Sequence, residues 1–228
     1  MKISGETPVG AIVAEDIRTA TLFTRAGIDF CCGGKKSLAD SCLESRADLS
    51  DLIGELTLVM ESPVAYNQNY KEWEPGFLSD YIVQTHHRYI RDHMPELLFY
   101  TRKIADVHGD NHPELQEVAR LFAEVAAELT QHLGREEEVL FPAAKRYLQS
   151  GSPADRETVQ SEIRRMLGDH DFAGGTMDHI NEITGGYQVP ADGCNTYRVA
   201  FTLLKAFEDD LHVHVHLENN ILFPALLA

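Results

Sequence analysis

Apolar positions recur at helical spacing along almost the whole chain, but the length of the runs changes near Gly76. Before it, short periodic pieces, "VGAIVAED", "IRTATLFTRAG", "SLADSCLES" and "DLSDLIGEL", predict three or four short helices, with Gly27 as a left-handed terminator and Ser37 as a cap. Periodicity fades over Glu61–Gly76, which predicts a linker between a small helical domain (1–60) and a larger one (77–228). Beyond it, four long runs predict helices over Phe77–Val107, Pro113–Gln149, Pro153–Ile183 and Asn195–Leu226. The loops "HGDNHP", "SGSP" and "TGGYQVPADGCN" supply stop and start signals. No alternating β-branched run predicts a sheet. The expected fold is all-α: an up-down-up-down four-helix bundle behind a small helical domain.

Two stretches of the bundle repeat one another. "HLGREEEVLFPA" (His132–Ala143) and "HVHLENNILFPA" (His214–Ala225) align without a gap on a His, a Glu four residues later, and Leu-Phe-Pro-Ala. Residues four apart lie on one helix face, so His132 with Glu136, and His214 with Glu218, can each aim an imidazole and a carboxylate inward. The first run offers His86 or His87 above Leu78 and Ile82, and the third offers His170. Four imidazoles and two carboxylates suit a dinuclear site. That donor set takes iron, manganese or zinc, and bridging carboxylates inside a four-helix bundle favour a redox di-iron pair. His212 and His216 stand two positions from His214, which turns them about 200° around the helix to face elsewhere. Val139, Leu140 and Phe141, like Ile221, Leu222 and Phe223, are expected in the core, and Pro142 and Pro224 are expected to bend or end their helices.

Composition narrows the classes. Acidic residues outnumber basic ones 36 to 20, a net charge of −16 that opposes nucleic acid and anionic lipid as partners. No run approaches a membrane span and "MKISGETPVG" lacks a signal-peptide core, so a soluble cytoplasmic protein is expected. Four cysteines do not make a disulfide framework. Cys42 and Cys194 read as buried packing. Cys31 and Cys32 are adjacent, so a disulfide between them closes a strained ring, and they read as soft ligands or exchange thiols. Gly33 and Gly34 are expected to expose them, and Lys35 and Lys36 to favour thiolate.

The motifs "THHRY", "HLGREEEVLFP", "GDHDFAG" and "HVHLENNILFP" resemble the hemerythrin-like di-iron domain. With "AGIDFCCGGKKSLADSC" ahead of them, nearly the whole chain resembles the iron-sulfur cluster repair di-iron family. The resemblance implies metal ligands at His87, by its spacing to Pro95, with His86 as the fallback, and at His132, Glu136, His170, His214 and Glu218. It implies two iron ions with oxo and carboxylate bridges. It further implies repair of clusters damaged by nitric oxide or peroxide, by iron delivery rather than turnover, with damaged iron-sulfur proteins as partners. Cys31 and Cys32 would transfer iron or electrons. Nitric oxide or oxygen can serve as an exogenous ligand, and a homodimer is compatible with these expectations. Gly174 stands where oxygen-carrying hemerythrins place a further histidine, which leaves both irons room to react. The alternatives are a di-iron nitric oxide reductase, a sensor for oxygen or nitric oxide, and a plain metal-storage module.

Overall fold

The structure, a computed structural model, describes residues 1–62 and 69–228. Regular structure among these is helical, and the single β-type pairing is an isolated antiparallel bridge between Pro8 and Ser37. Contacts divide the chain into two units: Met1–Ser79 together with His212–Ala228, and Asp80–Leu211. The domain expected over 77–228 and this grouping differ over 77–79 and over His212–Ala228.

In the first unit, α1 (Val9–Glu15), a 3-10 turn (Ile17–Thr19), α2 (Ala20–Arg25), α3 (Leu38–Ser45) and α4 (Leu49–Glu61) follow one another closely. Local chemistry sets their ends. The Asp16 carboxylate accepts the Arg18 N–H at 3.1 Å, and the Ser37 and Asp48 side chains cap α3 and α4 through Asp40 and Asp51. α2 stops at Gly27, whose φ of 65° lets Ile28 N–H reach back to the Phe23 carbonyl at 2.9 Å. Val9, Ile12, Phe23, Phe30, Leu38 and Leu56 bury their side chains in this unit. Of the expected linker, residues 63–68 lie outside the described residues; Tyr70–Glu72 form a 3-10 turn, and a new helix begins at Pro75.

Four long helical runs follow. The first joins α5 (Pro75–Ile82), a π-turn (Val83–His87) and α6 (Arg88–His108). The second joins α7 (Glu114–Arg135), a π-turn (Glu136–Leu140) and α8 (Phe141–Ser150). The third is α9 (Pro153–Ile183), and the fourth joins α10 (Asn195–Leu217), a π-turn (Glu218–Leu222) and α11 (Phe223–Leu227). These bounds agree with the periodicity to within one or two residues. In the second unit α6 packs on α7, and α7 and α8 on α9, while Phe122 of α7 meets Phe207 of α10 edge-on at 5.3 Å. The fold is an all-α four-helix bundle preceded by a small helical region.

Each run carries one buried seam whose spacing alternates strictly between three and four. It passes through Ile90, Met94, Leu97 and Ile104 on α6, and through Leu115, Val118, Phe122, Val125 and Leu129 on α7. On α9 it follows Val159, Ile163, Met166, Ala173 and Met177, and on α10 Tyr197, Ala200, Leu204, Phe207 and Leu211. An alternation of three and four keeps one stripe facing a partner helix. The same steps of three and four also fall on His87 ahead of Ile90, on His132 and Glu136 beyond Leu129, on His170 between Met166 and Ala173, and on His214 and Glu218 beyond Leu211. All six are buried.

Three wide turns interrupt the α-geometry, and the sequence did not predict them. Phe141 N–H bonds to the Glu136 carbonyl and Phe223 N–H to the Glu218 carbonyl, both five residues back. Proline follows each of these phenylalanines. Lacking an N–H, it cannot make the next i→i−4 bond, and its ring crowds that carbonyl, so a wider turn relieves the clash. Pro142 therefore does not end its helix, which continues to Ser150. Val139, expected in the core, is 37% exposed, because the widened turn carries it outward while Leu140 and Phe141 stay buried.

Phe122 has no exposed surface at the centre of the seam. Phe122→Ala should lower the unfolding free energy by about 3–5 kcal/mol through lost burial and a residual cavity, read as a shift of the urea midpoint at constant slope.

Candidate metal centre

Within the second unit, the seam brings three imidazoles to one carboxylate. Glu136 Oε2 stands 3.2 Å from His87 Nε2 and 3.3 Å from His132 Nε2, and His132 Nε2 stands 3.1 Å from His170 Nε2. Donor atoms of His132, Glu136 and His170 all lie within 4.8 Å of one another. With bonds of about 2.1 Å, ligands sharing a metal stand about 3.0 Å apart at a right angle and about 3.4 Å apart at a tetrahedral one. The observed separations fall between these values. A buried carboxylate costs several kcal/mol unless positive charge compensates it, and neutral imidazole beside carboxylate is a donor set for a divalent cation. These residues therefore fit a metal.

The outward faces of the imidazoles are held as well. His87 Nδ1 lies 2.7 Å from Glu137 Oε1, which also pairs with Arg91 at 2.7 Å, and His132 Nδ1 lies 3.3 Å from Asp169 Oδ2. A carboxylate on the far nitrogen fixes the tautomer that leaves Nε2 free to ligate. Burial pushes the Glu137 carboxyl upward, but the hydrogen bonds from Arg91 and His87 outweigh it, so the group sits below the usual carboxylate range. Phe141 stacks on the His87 ring at 5.9 Å and helps to exclude water. His86 turns the other way, to Asp210 Oδ1 at 3.0 Å, and does not share this cluster's Glu136 contact. Strict alternation back from Ile90 selects His87, a signal present in the sequence.

In the first unit, His214 Nε2 lies 3.3 Å from Glu218 Oε1, matching the 3.3 Å of the His132–Glu136 pair, and both residues are fully buried. His212 and His216 instead meet the Phe30 ring, at 6.2 and 5.7 Å. Burial holds the His216 imidazole near a pKa of about 4.

The Cys31–Cys32 loop lies in the same unit. The Asp29 carboxylate accepts N–H bonds from Cys31 (2.9 Å), Cys32 (3.0 Å) and Gly33 (2.7 Å), and Cys31 Sγ stands 3.2 Å from Asp29 Oδ1 and 3.7 Å from Cys32 Sγ. Asn220, within the π-turn that starts at Glu218, donates to the Cys31 carbonyl at 3.0 Å. Two expectations are corrected. Gly33 and Gly34 serve close approach rather than exposure: a Cβ would come within 2.9 Å of Asp29 at Gly33 and 2.6 Å of Asn220 at Gly34, and Cys31 is buried. The lysines do not activate Cys31, since Lys36 pairs with Glu44 at 2.6 Å, and the Cys31 thiol is raised well above its usual value by its hydrogen bond with Cys32 and by burial.

The second unit is thus a helical bundle with a buried histidine–carboxylate centre, the class of hemerythrin-type cation-binding proteins. Residues 79–226 match the hemerythrin HHE cation binding domain, and residues 5–59 match a domain of unknown function, DUF542. The chain belongs to the hemerythrin-domain family of iron-sulfur cluster repair proteins. It is 31% identical to the iron-sulfur cluster repair protein ScdA of Staphylococcus epidermidis over 97% of this chain and 98% of that protein. It is 33% identical to ScdA of Staphylococcus haemolyticus over the same shares, and 30% identical to the iron-sulfur cluster repair protein YtfE of Enterobacter sp. over 98% and 97%. No helix among the described residues is long and apolar enough to cross a membrane.

The other cysteines divide. Cys42 is buried as expected, and burial raises its thiol. Cys194, expected to be buried, is exposed, because its carbonyl takes the first helical bond of α10, from Arg198, and so places it at the helix N-terminus. His108 Nε2 lies 3.2 Å from its sulfur; that bond and the Tyr197 backbone N–H lower the thiol to about 7. Cys194 should be the first thiol alkylated by iodoacetamide, with a rate that rises with pH through a midpoint near 7. In His108→Ala the midpoint should move up toward the ordinary value of about 8.5, read by mass spectrometry of the labelled peptide.

Proposed function

We propose that this protein repairs iron-sulfur clusters damaged by nitrosative or oxidative stress, delivering iron from a di-iron centre held by His87, His132, His170 and His214 with Glu136 and Glu218 as bridging carboxylates. The observation that carries this is the paired histidine–glutamate geometry. Each pair is buried, each spans 3.3 Å, and each glutamate opens a π-turn. The repair activity named for ScdA and YtfE supports the same assignment, since the similarity runs nearly end to end.

Bound iron supplies redox chemistry and a transferable cargo. The chain's own residues do the rest. Glu137 and Asp169 hold Nδ1 of His87 and His132, so that each presents an Nε2 lone pair. Phe141 and Leu140 keep water from His87 and Glu136. α9 contributes a single histidine, His170, and one turn later Gly174, also buried, adds no further donor. That count leaves ligand positions open for nitric oxide or oxygen, and for iron to leave. Cys31 and Cys32 act as the acceptors that pass iron onward to a damaged cytoplasmic client.

Metal analysis with optical and paramagnetic resonance spectra tests the centre: two irons per chain with a coupled, oxo-bridged signature are expected, and a single zinc overturns it. Glu136→Gln and Glu218→Gln should each lose the coupled signature. Asp169→Asn should weaken iron retention by about 10–100-fold while leaving the helical circular dichroism intact. Cys31→Ser with Cys32→Ser should keep the di-iron spectrum but impair recovery of a damaged acceptor cluster; unchanged recovery removes the thiols from the mechanism.

A further inference from the structure

The first unit holds a donor cluster that the buried His/Glu chemistry does not use. We propose that Asp29, Cys31 and Cys32 form a separate three-donor site for a thiophilic divalent cation, with Asp29 as the ligand that completes the cysteine pair. As an iron-handling site it rests on the repair function proposed above; as a metal site it stands on the first unit alone.

Geometry is the first support. One donor atom from each of the three residues falls within 4.8 Å of the others. Two sulfurs on bonds of about 2.3 Å stand about 3.8 Å apart at a tetrahedral angle. Cys31 Sγ and Cys32 Sγ are 3.7 Å apart. For a sulfur at 2.3 Å and an oxygen at 2.1 Å, the edge runs from about 3.1 Å at a right angle to about 3.6 Å at a tetrahedral one. Cys31 Sγ to Asp29 Oδ1 is 3.2 Å. A cation bound there would replace the Cys31 thiol proton, which the sulfur can share with Asp29 Oδ1 or with Cys32 Sγ.

The frame around these donors is fixed before any ion arrives. Three backbone N–H groups orient the Asp29 carboxylate, at 2.7–3.0 Å. Behind the loop, Gly10 N–H bonds to the Gly34 carbonyl at 2.8 Å and Val9 N–H to the Lys36 carbonyl at 3.0 Å, tying it to the start of α1. Asn220 holds the Cys31 carbonyl, and Gly10 and Gly34 leave it room, since a Cβ on either would come within 2.6 Å of its side-chain oxygen. A preorganised loop spends little conformational entropy on binding. Asp29 is exposed and Cys32 half-buried, so the site opens to solvent.

Charge explains the choice of ion. Binding replaces two thiol protons with one dication, releasing two protons and leaving two thiolates and one carboxylate about a divalent centre. Without the cation, three negative charges within 4.8 Å would repel strongly. Two soft sulfurs select ferrous iron, cobalt or zinc over magnesium or calcium. The hard oxygen and an open fourth position keep the ion exchangeable, as a transfer site requires.

The test adds Co(II) anaerobically to metal-free full-length protein and follows the thiolate-to-cobalt charge-transfer band, which histidine and glutamate ligands do not give. Wild type should show the band, saturating when one cobalt per chain is held by the thiolates in addition to any taken up by the His/Glu donors. Cys31→Ser and Cys32→Ser should each lose most of it, and Asp29→Asn, which keeps an oxygen for the Cys31 and Cys32 N–H groups, should weaken binding at least about tenfold. Glu136→Gln and Glu218→Gln should retain the band, so loss of the bundle metal and loss of this site are separable. Cadmium NMR on wild type gives a reading independent of variant folding: a resonance shifted by two sulfurs, distinct from that of the His/Glu donors, is expected. No charge-transfer band in wild type, no sulfur-shifted cadmium resonance, or Asp29→Asn binding as tightly as wild type would overturn the proposal.

Discussion

The structure depends on carboxylates buried where side chains are otherwise apolar. Glu136 and Glu218 have no exposed surface, and each continues an otherwise apolar seam, one histidine beyond its last leucine. Removing a carboxylate from water costs several kcal/mol even after relaxation, and positive charge must offset it. The imidazole one turn earlier stands at 3.3 Å in both pairs, and His87 approaches Glu136 at 3.2 Å. A divalent cation compensates far more strongly. A metal bound among these residues would link its binding to folding, because the candidate donors occupy packing positions without a separate loop to hold them.

Much of this was legible because packing and ligation share one periodicity. The step of three and four that places Phe122 and Leu129 also places His132 and Glu136, so the helices and the duplicated ligands came from one pattern. The same pattern, followed strictly from Ile104 back through Ile90, separates His87 from His86; spacing to a distant proline was an indirect route to the same residue. The two π-turns ahead of Pro142 and Pro224 were not legible, because a proline in a helix reads equally as a bend, a stop or a widened turn. Only the tertiary packing that continues the second run to Ser150 distinguishes them. Val139 was misplaced for that reason. Cys194 was misplaced because hydrophobic type predicted burial, whereas its position immediately before α10, as the N-cap, decides its exposure.

The cysteine loop shows a different limit of sequence reasoning. Adjacent lysines suggest an activated thiol, but charge acts through distance and orientation, and Lys36 is engaged by Glu44 eight residues on. Asp29, which the motif leaves inconspicuous, is the group that reaches both cysteines. Its three backbone bonds account for Gly33, and Asn220, nearly two hundred residues away in sequence, accounts for Gly34. The two glycines are thus a packing requirement imposed by side chains that no local reading could pair with them.

Two kinds of donor set within one chain suit two kinds of demand. Nitrogen and carboxylate ligands buried on helices are rigid, retain ions and tolerate redox change, but burial slows exchange. Sulfur donors on a loop that opens to solvent through Asp29 and Cys32 suit a thiophilic ion and its exchange with a partner, at the cost of sensitivity to oxidation. A protein that only stored iron would need the first alone, and one that only scavenged it would need the second. A Glu218 that opens a π-turn, and an Asn220 two residues on that grips the cysteine loop, place the two chemistries on a single short segment. Displacement of that turn would be transmitted to the Cys31 carbonyl through the Asn220 hydrogen bond.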